Sequence, residues 1–230
     1  MARVLATATL VLTSLSLAAA ASYSSTSGSA VTTHNGDSAG GFPSNGGFQV
    51  LTDAFGTSGP GSSWTLVYDV IIDTSFSGSY FGLLQTSTAN SGDGDLFLQG
   101  SGTFGIGITS YAGSVSKGTW VRVGFTMSGG YLGRYIDGAS QGSYHAGTSS
   151  RFSIGSEVLI MTDNDGESGT GRLAAFAMVD RALSSSEMTA LGGPDSAGIF
   201  DSSASDVVEF RLSGCSPSSA ALGEGAPPAC

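Results

Sequence analysis

The residues able to do chemistry in this chain are few and mostly acidic. The tightest group is Asp163-Asn164-Asp165-Gly166-Glu167, and a second acidic, Gly-rich turn holds Asp93 and Asp95. Calcium takes six to eight oxygen ligands, and a short turn carrying several carboxylates can supply a number of them together with backbone carbonyls. Asp163, Asp165 and Glu167 are therefore candidate calcium ligands, with Asp93 and Asp95 completing the shell if the fold joins the two turns. The plainer alternative is a tight turn held by Asx hydrogen bonds, since Asp, Asn and Gly are what such turns prefer and the twelve-residue EF-hand spacing is absent.

Other reactive types fit catalysis poorly. A retaining glycosidase needs two carboxyls about 5–5.5 Å apart. Asp163, Asp165 and Glu167 would share one face only in an extended strand, and Asn164 and Gly166 make the segment a turn. Gly138-Ala139-Ser140-Gln141-Gly142 has the spelling of a nucleophile elbow, yet no helix-forming stretch follows it. His34 and His145 stand in no metal-spaced cluster, and no Gly-rich turn ends in Gly-Lys-Ser/Thr. The sequence thus offers no catalytic site, and the chemistry left is binding. Trp64, Tyr111 and Tyr144 could stack on a sugar ring, against the commoner use of aromatics as packing in a β-sandwich. Tyr80, Tyr131 and Tyr144 lie beside Gly and Ser in expected loops, where an exposed ring is available to a ligand.

Charge narrows the partners. The formal net charge is −10 and only 11% of residues are charged, against about 25% in ordinary soluble domains. A field of this sign repels phosphate backbones and anionic lipid headgroups, so nucleic acid and membrane surfaces are poor partners. An acidic chain poor in Lys and Arg suits an extracellular setting, in which a glycan or another extracellular polymer is the expected ligand.

The N-terminus agrees with export. Met1-Ala2-Arg3 is followed by an apolar stretch from Val4 to Leu17 and by the small residues Ala18 to Ala21. That is the pattern of a signal peptide over 1–21, and the apolar stretch is shorter than the ~20 residues a membrane span requires. Residues 22–47 are Gly/Ser-rich and read as a flexible arm. Cys215 and Cys230 bracket a Ser/Pro/Ala-rich tail over 213–230. In an oxidising compartment an even pair closes a disulfide worth ~3 kcal/mol for a loop of this size, and pairing with another chain is the alternative.

The elements that must position these residues are strands. Trp64 to Ile72 alternates, so that Leu66, Tyr68, Val70 and Ile72 share one face, and in Trp120 to Met127 the residues Val121, Val123, Phe125 and Met127 do the same. Shorter candidates are 48–51, 81–85, 95–99, 104–108, 132–136, 151–154, 158–162, 173–179 and 207–212, with Gly, Asp, Asn and Ser between them. Asp137-Gly138 is a hairpin turn signal. Ser184 and Glu187 form a capping box that opens one short peripheral helix near 184–191, which Gly192-Gly193 stops. Many short strands and one helix predict an all-β, antiparallel two-sheet sandwich over 48–212. Leu66, Tyr68, Val70, Val123, Phe125, Phe176 and Phe210 are its expected core.

The order of these motifs resembles a known family. Trp64-x-x-x-Tyr68-Asp69-Val70, Trp120-x-Arg122-Val123, Tyr135-Ile136-Asp137-Gly138, Leu159-Ile160-x-x-Asp163 and Asp180-Arg181-Ala182-Leu183-Ser184-x-x-Glu187 are similar to the laminin-G-like jelly rolls of the concanavalin A-like lectin/glucanase superfamily. The resemblance implies two facing antiparallel sheets, with roles in carbohydrate binding, adhesion or as accessory modules of extracellular enzymes. The Glu-x-Asp-x-x-Glu pattern of that superfamily's retaining glucanases is missing. A secreted, non-catalytic binding module is the expected function, a structural or assembly protein of the extracellular space is the alternative, and a glycoside hydrolase of the same superfamily is the third reading.

Overall fold

The computed structural model describes residues 40–42, 48–51, 61–78, 80–87, 94–106, 110–146, 150–155, 157–163, 167, 169–195, 198–200 and 207–211. The expected signal peptide, Asp93, Asp165, Cys215 and Cys230 lie outside them. Apolar alternation becomes strand wherever one face can be buried. In chain order the strands are β1 (Gly40–Phe42), β2 (Phe48–Leu51), β3 (Trp64–Ile72), β4 (Tyr80–Gln85), β5 (Asp95–Gln99), β6 (Phe104–Ile106) and β7 (Ser110–Ala112). They continue as β8 (Trp120–Ser128), β9 (Tyr131–Ile136), β10 (Ala139–His145), β11 (Glu157–Ile160), β12 (Gly171–Val179) and β13 (Val207–Arg211), with one helix, α1 (Ser185–Leu191).

Two antiparallel sheets result. The first runs β1-β12-β3-β8-β9-β10 with β13 also on β12, and the second runs β2-β11-β4-β5-β6-β7. They are the expected jelly-roll sandwich. Leu66, Tyr68, Val70, Val123, Phe125 and Phe176 are all buried in one core with Phe81, Leu98 and Phe104 of the second sheet. The Phe104 and Phe125 rings meet across the sheets at 5.7 Å, and Tyr68 packs between Phe125 and Phe176. Phe210 is paired in register with Phe176 on β13.

The outer face of the first sheet is covered too. Val67, Ala175, Ala177, Val179 and Tyr135 form a second cluster with Leu183, Met188 and Ile199, which seats α1 on that face. The Ser184 capping box forms as read. So does the Asp137-Gly138 turn, in which both residues take positive φ (48° and 76°), the two-residue turn whose twist matches the strands it joins.

Four segments differ from the sequence reading. Residues 151–154 are not a strand: Ser150–Phe152 is a single 3₁₀ turn, and Ile154 makes one isolated bridge to Gly61. Gly40–Phe42, inside the expected flexible arm, pairs with β12. β7 and β10 are not among the expected strands, because Ser110–Ala112 and the largely exposed Ala139–His145 carry almost no apolar alternation. Partners supply their order instead: β10 is the return strand of the Asp137-Gly138 hairpin, and β7 that of β6. Tyr80, Tyr131 and Tyr144 accordingly sit in strands rather than in loops. Among the described residues no helix is long and apolar enough to cross a membrane.

Candidate functional site

Asp69, Arg122, Tyr135, Asp137, Gly138, Arg181, Leu183 and Glu187 of the sequence motifs gather on the side of the first sheet that carries α1 and are used for construction. Arg122 on β8 donates from Nε and Nη2 to the two carboxylate oxygens of Asp69 on β3 (2.6 and 2.7 Å), and its guanidinium also reaches the carbonyls of Leu191 and Gly198. Asp137 Oδ1 accepts from the Arg122 backbone N–H at 2.9 Å. A Cβ on Gly138 would lie 2.8 Å from the Met188 carbonyl, so the hairpin turn must be glycine for α1 to dock. Arg181 pairs with Glu187 of the capping box at 2.8 Å. Each group faces a protein partner, and this side of the molecule is occupied by its own helix.

The second sheet presents its outer face differently. Along β5 the exposure alternates, with Leu96 and Leu98 buried and Asp95, Phe97 and Gln99 turned outward. Phe97 pairs with Gly82 on β4 and Gly105 on β6, and Gly105 pairs in turn with Tyr111 on β7. The row is therefore Gly, Phe, Gly, Tyr, with no side chain on either flank of Phe97. Strands stand ~4.8 Å apart, so the backbones of β4 and β7 are separated by ~14 Å. Tyr80 and Tyr111 nevertheless bring their ring centroids to 6.4 Å, and Tyr80 lies 5.6 Å from Phe97. The Cβ positions that the glycines leave empty are taken by backbone, that of Thr162 at Gly82 and that of Ser110 at Gly105. Tyr80 is 39% exposed, one of the two large apolar side chains so exposed among the described residues.

One carboxylate borders this aromatic group. Asp163 Oδ1 accepts from the Glu167 backbone N–H (2.7 Å), and the Glu167 carbonyl accepts from Gly82 N–H (2.6 Å). A Cβ on Gly82 would stand 2.7 Å from the Thr162 backbone, so only glycine lets the backbones of Thr162 and Asp163 lie against β4. Burial, then Tyr80 by charge and hydrogen bond, then the charge of Glu167 push the Tyr111 phenol above its ordinary pKa. Its hydroxyl stays protonated at neutral pH. The face thus offers stacking rings, phenol hydroxyls able to donate and accept, and one carboxylate acceptor.

The residues picked out from sequence divide accordingly. Tyr111 and Glu167 belong to this face. Trp64 does not: it is fully buried, packs in the core and donates its indole N–H to the Phe152 carbonyl at 2.7 Å, which corrects its reading as a sugar-stacking residue. Tyr144 is half-buried on the edge strand of the other sheet, away from Tyr111. Tyr131, 56% exposed, packs on His145 at that same edge. Of the candidate calcium ligands, Asp163 is buried and caps its own turn, and Asp95 pairs with Arg151 at 3.5 Å. Asp95 is in register with Gln85, three residues along β4 from the Gly82 that Glu167 contacts, or ~10 Å. Asp95 is thus not brought into one shell with Asp163 and Glu167. Phe97 escaped the sequence reading, although its place between two inward leucines already turns it outward.

Comparison with solved structures returns matches of low sequence identity. Trypanosoma rangeli sialidase matches 64% of this chain at 20% identity with a TM-score of 0.51, the match spanning 25% of the sialidase. Domain 4 of AbnA, a GH43 extracellular arabinanase from Geobacillus stearothermophilus solved with arabinotriose, matches 66% of this chain and 74% of its own at 13% identity and a TM-score of 0.47. A heptameric SAP-like pentraxin from Limulus polyphemus matches 66% and 84% at 14% identity and 0.43. At these identities the likeness concerns the fold. No curated protein sequence matches the chain. A laminin G family model of the concanavalin A-like lectin/glucanases superfamily covers residues 57–189, more than half of the chain, and takes in both the structural motifs of the first sheet and the aromatic row of the second; the chain belongs to that superfamily.

Proposed function

We propose that this protein is a secreted, non-catalytic carbohydrate-binding module whose ligand lies across the outer face of β4 to β7. The observation that carries the reading is the Tyr80–Phe97–Tyr111 group, three rings assembled from three strands, with Tyr80 exposed and Phe97 and Tyr111 half-buried. A sugar ring has an apolar face and an equatorial rim of hydroxyls. Aromatic rings pack on the first, and the Tyr80 and Tyr111 hydroxyls with the Glu167 carboxylate bond the second. Catalysis is not part of the reading: hydrolysis of a glycosidic bond uses two carboxyls that flank it, and Asp163, the carboxylate beside Glu167, is buried and accepts from the Glu167 backbone N–H.

The test is a glycan array followed by calorimetry. Saturable binding to a defined oligosaccharide is expected, with Tyr111→Ala and Tyr80→Ala each weakening it about tenfold, or ~1.4 kcal/mol. Silence on the array together with concentration-dependent self-assembly favours the structural role. Turnover of a β-glucan that is lost in Glu167→Gln restores the enzyme class.

A further inference from the structure

We propose that Arg134 is a positioning residue of this face: reaching from the first sheet through the interior to the second, its guanidinium holds Ser110 in place and so sets where the Tyr111 ring stands. The inference rests on the binding reading above. Arg134 is opposite Phe125 on β9 and shares its inward direction, and it is only 4% exposed. Nη1 donates to the Ser110 carbonyl at 2.9 Å and, more weakly, to the Phe104 carbonyl at 3.4 Å, the two ends of the β6–β7 hairpin. Nε is buried without a partner. The ion pairs among the described residues include none for Arg134. Arg122, also buried, shows what a satisfied arginine looks like in this protein: a bidentate carboxylate and two carbonyls.

An interior guanidinium with no carboxylate is costly, and burial pulls its pKa down. A residue kept at such cost by packing alone would be better replaced by a hydrocarbon. The grip is on an unusual backbone. Ser110 has φ 58°, a left-handed conformation disfavoured for any side chain with a Cβ and maintained only where surroundings impose it. A Cβ on Gly105 would collide with the Ser110 carbonyl, so the two hairpin backbones are pressed together at the point Arg134 grips. Tyr111 is the next residue, and its ring direction follows from that turn of the chain.

Arg134→Met separates the roles, because it keeps volume and removes the buried charge, so the melting temperature should hold or rise. Two readouts follow. Affinity for the oligosaccharide found on the array should fall about tenfold. In ¹³Cζ-tyrosine NMR, with the Tyr111 signal assigned through Tyr111→Phe, that phenol should titrate nearer an ordinary tyrosine as it leaves Tyr80 and Glu167. Adding Ser110→Gly, which makes the positive φ free of strain, should recover part of both. Arg134→Lys, a cation able to reach one carbonyl, should fall between parent and Met and serves if the Met variant does not fold. An unchanged Tyr111 titration in Arg134→Met overturns the inference whatever the glycan result. A changed titration in a protein that binds no glycan upholds the positioning role and removes the binding reading.

Discussion

Asp69→Ala should be among the most damaging single changes in this protein, and its size can be worked from the bonds it breaks. Asp69 is fully buried and Arg122 is 3% exposed, and their bidentate contact at 2.6 and 2.7 Å joins β3 to β8. Removal leaves a guanidinium inside the protein with two carbonyls and no anion. Breaking a buried pair in this way costs about 3–5 kcal/mol, the penalty of an uncompensated interior charge. For a domain of this size each kcal/mol moves the melting temperature by about 2–4 °C, so a drop of about 6–20 °C is expected. Asp69→Asn, which keeps the shape and one acceptor, should fall between. The control is Asp69→Leu with Arg122→Met: a hydrocarbon pair of similar volume is often neutral or stabilising, so the double variant should return to within about 1 kcal/mol of the parent. Urea melts read by near-ultraviolet circular dichroism supply the numbers, with a constant m-value as the check on two-state behaviour. If Asp69→Ala melts within about 1 kcal/mol of the parent, the interior charge is being met by water or by another group, and the account of the first sheet is wrong.

The Tyr68 hydroxyl lies in the core with no hydrogen-bond partner, and burial pushes its pKa far up, so Tyr68→Phe should stabilise the fold by about 1 kcal/mol in the same melts. Glu187 is held below its ordinary pKa first by the Ser184 backbone N–H, then by the Ser184 hydroxyl and Arg181. A lowered folded-state pKa gives stability that is present above the unfolded value, near 4.3, and lost as pH falls through the folded one. The stability gap between parent and Glu187→Gln should thus be constant at neutral pH and narrow below about pH 4.3; a gap that widens on acidification contradicts the sign. If calcium occupies the Asp163 turn, the ion should raise the melting temperature and chelator lower it, and Asp163→Asn with Asp165→Asn should abolish the response; identical melts leave these residues as turn formers. Non-reducing mass spectrometry should find Cys215 and Cys230 joined within one chain, a result that free thiols or a linked dimer would exclude.

Local and strongly periodic features could be read from the amino acids alone. The alternation in β3 and β8 gave the core, Asp137-Gly138 the hairpin, and Ser184 with Glu187 the helix start, because each is decided within a few residues of chain. The proposed binding face could not be read in this way. Gly82, Phe97, Gly105 and Tyr111 are spread over thirty positions and become neighbours only through the registers of three strand pairs, which no local pattern specifies. Trp64 shows the opposite error: its chemical type suggested a ligand, while its parity with Leu66, Tyr68 and Val70 already placed it inside. Parity carries more than was taken from it. Phe97 between Leu96 and Leu98 is an apolar residue on the outward phase, and Arg134 between the inward Leu132 and Ile136 is a cation on the inward phase. Each breaks the alternation of its own strand. Natural sequences keep such violations where something other than stability is being served. In this protein one violation makes the aromatic floor and the other grips the hairpin that carries its outermost ring, so the two exceptions to the pattern meet at the same face.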